Sequence, residues 1–193
     1  MNYLNIDKLT LHHRTEVVDA HADWVRAKVK DGWLPYFMTT MFHQLRGGTV
    51  SITHQMRRAL ESIYSRFVTR VVKDPNSERG SRFSPILIGC PDLPVHKHAK
   101  QSIGDFEVNG GLHHHAILLT PAQSRLKVPA DQHFTEQASQ YLRQNITVRS
   151  LTVMAITDDP GYVTDYSLKG IKSGRISPDD LIILPRTTSE MRH

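Results

Sequence analysis

The run Leu112-His113-His114-His115-Ala116-Ile117-Leu118-Leu119 is apolar apart from the three histidines at its head, and it reads as a buried β-strand closed by Pro121. Successive side chains on a strand alternate between its two faces, so His113 and His115 project one way and His114 the other. Two imidazoles about 7 Å apart along a strand and projecting together can hold one divalent metal ion. His114 then falls on the packed side, a costly place for a polar ring without a partner.

The segments around this strand supply a frame. Val17, Val18, Ala22, Trp24, Val25 and Val29 recur at helical spacing between Arg14 and Lys30, and Gly32 ends that leading helix. Leu34 to Phe42 is rich in β-branched and aromatic residues and reads as a strand. Gly47-Gly48 breaks the chain, and Thr49 or Ser51 can cap a second helix. Along that long amphipathic helix Met56, Leu60, Ile63, Phe67 and Val71 step by three and four, and its outer face carries Arg57, Arg58, Arg66 and Arg70. After a polar loop, Phe83 to Gly89 is a buried strand. Gly104 to Val108 and Leu112 to Leu119 flank Asn109-Gly110-Gly111, residues that accept positive φ, which predicts a hairpin. A helix is expected from Ala130 to Gln144 and a strand from Ser150 to Ile156. Asp159 and Pro160 supply the cap and first residue of a short helix that Gly170 can terminate.

Leaving aside the leading helix, that succession predicts an α+β fold. Its sheet is antiparallel with helices on one face, in the split β-α-β-β-α-β arrangement shared by RRM and ferredoxin-like domains. The expected organisation is an N-terminal helical extension over residues 1–32, a functional domain over 33–185 and a polar tail over 186–193.

Bulk properties narrow the function. The formal net charge of +5 is compatible with a polyanionic partner. Cys90 is the sole cysteine, which excludes an internal disulfide framework and a multi-cysteine zinc site and fits a reducing, cytoplasmic compartment. No apolar stretch reaches the roughly 18 residues that span a bilayer, so no membrane partner is expected.

Chemistry enters through a second cluster. Tyr162 and Tyr166 are four residues apart on the helix beginning near Pro160, and Lys169 comes three later, so the three share one face. A phenol is a poor nucleophile at its ordinary pKa near 10, but a lysine ammonium and a metal-bound phosphate favour the phenolate. Attack on phosphorus by such a tyrosine forms a covalent phosphotyrosine and frees a 3′-hydroxyl. Glu107, on the expected hairpin partner, can approach His113 across the ladder. Two imidazoles and a carboxylate suit Mn²⁺, Mg²⁺ or Zn²⁺, and the sequence does not choose among them. His96-Lys97-His98 repeats the spacing without an apolar strand behind it and reads as a loop.

Three stretches together resemble the HUH endonucleases of the rolling-circle replication-initiator type. Phe37-Met38-Thr39-Thr40-Met41-Phe42 is similar to that family's first, strand-borne motif. Leu112 to Leu119 is similar to its His-hydrophobe-His motif, and Tyr162 to Lys169 to its two-tyrosine nicking motif. The resemblance implies His113 and His115 as metal ligands with Glu107 as third, Tyr166 or Tyr162 as nucleophile, and Lys169 as electrostatic helper. It implies single-stranded DNA or an origin hairpin as substrate. No G-x-x-x-x-G-K-[ST] loop is present, so unwinding would fall to a host helicase. The chain departs from the family pattern at His114, where a bulky hydrophobe is usual, and at Asp165, where a base is common. A relaxase or a single-strand transposase would use the same chemistry, and a non-catalytic RRM-like nucleic-acid-binding module is the reading from a different class.

Overall fold

The computed structural model describes residues 10–93, 108–143 and 146–186. It is an α+β fold on a five-stranded antiparallel sheet. In chain order the elements are α1 (Leu11–Lys30), β1 (Trp33–Phe42), α2 (Thr49–Val71), α3 (Glu78–Arg82), β2 (Ile86–Asp92), β3 (His113–Pro121), α4 (Ala130–Glu136), α5 (Ala138–Leu142), β4 (Val148–Ala155), α6 (Pro160–Ser167), α7 (Lys169–Lys172) and β5 (Ile182–Leu184). The neighbour order across the sheet is β4-β1-β3-β2-β5. No helix among the described residues is long and apolar enough to cross a membrane.

β3 lies at the centre, and its two faces explain both layers. Ala116 and Leu118 point with Met38 and Leu87 into a core formed with Met56, Leu60, Ile63 and Phe67 of α2 and with Phe134 and Tyr141 beyond it. Ile117 and Leu119 point the other way, with Ile88, against Val25 and Trp24 of α1 and Val163 of α6. Helices therefore flank both faces, where the sequence pattern predicts one. The leading helix covers the face that carries His113 and His115 because Val18, Ala22 and Val25 form an apolar stripe that must be buried somewhere.

The local signals hold at several ends. Thr10 caps α1, its hydroxyl accepting from the His13 amide at 3.3 Å, and Gly32 ends the helix at φ 90°. Asp159 caps α6 by accepting from the Gly161 amide at 2.9 Å, with Pro160 at the first turn. α2 starts on Gly48 without a side-chain cap, so neither Thr49 nor Ser51 serves in that role.

Three elements differ from the sequence reading. The helix expected over residues 130–144 is broken at Gln137 into α4 and α5, which a hydrogen bond between His133 Nε2 and the Tyr141 hydroxyl (2.8 Å) ties together. The single tyrosine helix is likewise interrupted at Leu168, with Lys169 opening α7. The hairpin strand expected over residues 104–108 falls, at 104–107, outside the described residues, and β3 is paired by β2 on one side and β1 on the other. Asn109, Gly110 and Gly111 do adopt positive φ. Finally, β2 runs on past Gly89 to Asp92. Pro91 is tolerated there because β5 pairs only with Leu87, Ile88 and Gly89, so β2 has no strand neighbour on that side at Pro91. Glu107 and the His96-Lys97-His98 segment lie outside the described residues.

Candidate metal centre

Strand register builds the site. In the β2–β3 ladder Asp92 stands opposite His113 and Cys90 opposite His115; in the β1–β3 ladder Thr39 stands opposite His115. Residues directly opposite share a face, so His113, His115, Asp92 and Thr39 converge on the α1/α6 side of the sheet. His114 is turned to the other side.

The donor atoms are close. His113 Nε2 and His115 Nε2 are 2.9 Å apart, and Asp92 Oδ2 lies 3.7 Å and 3.5 Å from them. A point equidistant from these three atoms lies about 2 Å from each, the length of a metal–imidazole bond, and ligand edges of this size suit tetrahedral or octahedral coordination. The far sides of the rings are already engaged. The Gly111 carbonyl accepts from His113 Nδ1 at 3.0 Å, and the Thr39 hydroxyl is 3.2 Å from His115 Nδ1. Occupying Nδ1 in this way turns Nε2 toward the common point, as outer hydrogen bonds commonly do for ligating histidines. Asp92 is 2 % exposed. A buried carboxylate oxygen facing two imidazole nitrogens is a donor set suited to a divalent cation. Asp92, His113 and His115 thus form a buried cluster able to hold a metal ion.

Electrostatics agree with that use. Burial, then the charges of His113 and Lys169, push the His115 pKa down to about 3, so its imidazole is neutral and its lone pair free at working pH. Lys169 Nζ sits 2.6 Å from Asp92 Oδ2 as an ion pair. Burial works against that ammonium, but the Asp92 carboxylate and the Tyr166 phenol outweigh it and the pKa is raised. Cys90 takes no part. Burial, then the Asp92 charge, push its thiol to about 12, and its Sγ donates to the Ser167 carbonyl at 3.4 Å.

The tyrosines are placed unequally. The Tyr166 ring is 5.9 Å from the His115 ring and edge-on to Phe37 at 6.1 Å, and Lys169 Nζ lies 4.0 Å above it. Tyr162, one turn earlier on the same face of α6, is 69 % exposed. Of the residues expected from sequence, His113, His115, Lys169 and Tyr166 come together, and Tyr162 stands at the rim. Asp92 is the ligand that sequence reading missed. Extending β2 by three residues and pairing Ile88 with Ile117 would have put it opposite His113. Asp165 looks away from the centre and pairs with Lys172.

His114 illustrates the opposite face. It is 1 % exposed, neither ring nitrogen has a partner, and Thr40, its cross-strand neighbour, has an unpaired buried hydroxyl. Burial, then the charges of His115 and His113, lower its pKa to about 3.

No known protein family, curated protein or solved structure matches this chain.

Proposed function

We propose that this protein nicks single-stranded DNA at a specific site and transfers the strand, using Tyr166 as nucleophile beside a divalent metal held by Asp92, His113 and His115. The observation that carries the reading is the convergence of Tyr166 and His115 from different elements, with Lys169 standing between the phenol ring and Asp92. A phenol, a charged lysine and a histidine–carboxylate cluster in one pocket suit phosphoryl transfer, where positioning and charge stabilisation dominate. The succession β1-α2-β2-β3-α4-β4 with sheet order β4-β1-β3-β2 supports a split β-α-β-β-α-β reading and, with the three motifs, the likeness to HUH endonucleases.

In this reading Tyr166 Oη attacks the phosphorus of a phosphodiester. The phenol gives up its proton as its O–P bond forms, the bond to the 3′-oxygen breaks, and that oxygen takes up a proton from water to leave as a 3′-hydroxyl. The 5′-phosphate stays on Tyr166. A bound Mn²⁺ or Mg²⁺ would draw charge from a phosphate oxygen. Lys169 stabilises the phenolate, and Phe37 and His115 fix the plane of the Tyr166 ring. Tyr162, out at the rim, is placed to accept a second strand end after the first cut. Initiation of rolling-circle replication uses such a cycle, and mobilisation or single-strand transposition would share it.

The test is covalent capture. Single-stranded oligonucleotides tiling the DNA around the gene are incubated with protein and Mn²⁺ and resolved on a denaturing gel. A protein–DNA adduct is expected, lost in Tyr166→Phe and retained at the first cut in Tyr162→Phe. Binding without an adduct for every oligonucleotide and for Mn²⁺, Mg²⁺ and Zn²⁺ alike would establish a non-catalytic binding module instead.

A further inference from the structure

On the side of the sheet away from Asp92, His113 and His115, the C-terminal half of α2, the loop between β3 and α4, and α4 itself enclose a groove of about 510 Å³. Its lining includes Arg70, Arg125, Lys127 and His133, with Thr69 supplying a hydroxyl. Glu136 is the one acidic residue of that lining, and its Oε1 is already occupied by the Gln132 amide at 2.7 Å. Arg125 and Lys127 have no acidic partner among the described residues. Arg70 reaches the neutral amide of Gln140 at 3.1 Å.

Cations gathered in a concave surface without counter-charges repel one another, and the arrangement is relieved by an anion carrying several charges. Two guanidinium forks, an ammonium and a hydroxyl match tetrahedral oxyanions rather than a single carboxylate. The backbone is pinned, because the Arg125 amide donates to the Val71 carbonyl at 2.9 Å, which fixes the loop against α2. We infer that this groove binds successive phosphates of a polyphosphate anion, and that a nucleic-acid backbone is the form in which they arrive.

The inference does not rest on the nicking chemistry, so it is tested in metal-free protein with EDTA present. Binding of fluorescein-labelled dT20 is measured by anisotropy from 50 to 300 mM NaCl, in the parent protein and in an Arg125→Gln/Lys127→Gln variant. Two lost phosphate contacts are expected to weaken binding about tenfold at low salt and to flatten the slope of log K against log salt by about 1.4. A Lys73→Gln/Arg82→Gln variant removes the same charge elsewhere on the surface and is expected to bind nearly as the parent does. A fluorescent ATP analogue forms a second arm. Loss of its binding in the groove variant, with dT20 unaffected, would overturn the backbone assignment in favour of a nucleotide. Unchanged binding of both dT20 and the ATP analogue, or equal loss in the charge control, would overturn the site altogether. Melting curves that coincide with the parent's exclude unfolding as the cause.

Discussion

Arg26 of α1 clasps Asp159 at the head of the tyrosine helix with two parallel contacts, Nε to Oδ1 at 3.0 Å and Nη2 to Oδ2 at 2.9 Å. The same carboxylate caps α6 through the Gly161 amide, and the Arg26 guanidinium lies against the open side of Gly161. At the far end Lys172 pairs with Asp165 and reaches Asp19 of α1 at 3.8 Å. The leading helix therefore grips the segment bearing Tyr162 and Tyr166 from both ends.

Arg26→Ala should accordingly act on reaction geometry more than on metal binding. Small misplacements of a nucleophile are costly in rate. We expect adduct formation to slow about tenfold, Mn²⁺ affinity to stay at the parent value, and the melting temperature to fall slightly. Arg26 and the Gly161 amide hold the Asp159 carboxyl down to about 2, so the clasp is present above the ordinary carboxylate range and is lost only as the pH falls through about 2. Rates measured between pH 5 and 9 in parent and variant should then differ by a constant factor. An adduct rate equal to the parent's would show that α6 is positioned without Arg26.

Thr39 is expected to act through His115. Thr39→Val removes the hydroxyl beside His115 Nδ1 while keeping the strand position filled. Outer-shell losses of this kind typically weaken metal binding about 10–100-fold. Calorimetric Mn²⁺ titration should show that loss, with His113→Ala giving no measurable binding. Equal Mn²⁺ affinity in Thr39→Val and parent protein would mean that packing against Phe37, 4.9 Å from His115, suffices to orient the ring.

Lys169 should separate binding from chemistry. Its ammonium competes for Asp92 Oδ2 and repels an incoming divalent ion, so Lys169→Met is expected to bind Mn²⁺ at least about tenfold more tightly. The same change removes the cation above Tyr166 and is expected to slow adduct formation by about two orders of magnitude. Weaker metal binding in Lys169→Met would place the ammonium in a supporting role toward the ion.

Much of this centre was legible in the chain because strands alternate and helices repeat. The period of two alone separates His113 and His115 from His114, and the four-residue step alone puts Tyr162 over Tyr166. The illegible part depends on pairing at a distance. Asp92 comes after a proline that ordinarily ends a strand, and only the short reach of β5 lets β2 continue through Pro91 to bring the carboxylate opposite His113. The same holds for α1. Its apolar stripe announces that it packs, but Arg26 and Asp159 are 133 residues apart, and nothing local pairs them. The kink at Leu168 also escaped, although Lys169 still lands on Tyr166 because α7 resumes at once.

His114 is the place where the sequence departs from an apolar strand without a visible return, and it offers the cleanest stability test. A buried imidazole whose ring nitrogens lack partners costs on the order of 1–3 kcal/mol relative to being satisfied or absent. His114→Leu replaces them with a bulky hydrophobe on a face already lined by Met38, Ala116 and Leu118. We expect a gain of about 1–3 kcal/mol, seen as a melting temperature several degrees higher. The pH dependence should change as well. The folded pKa near 3 lies below the unfolded value of 6.5, so the unfolded chain takes up its proton first as the pH drops. Stability is thus lost progressively between about 6.5 and 3, with a limiting slope of about 1.4 kcal/mol per pH unit from this one group. In His114→Leu that loss is absent, and the difference between variant and parent should widen from pH 7 to pH 4 in urea titrations. A constant difference across that range, or a variant less stable than the parent at pH 7, would mean that His114 is satisfied in solution by a partner such as a buried water shared with Thr40.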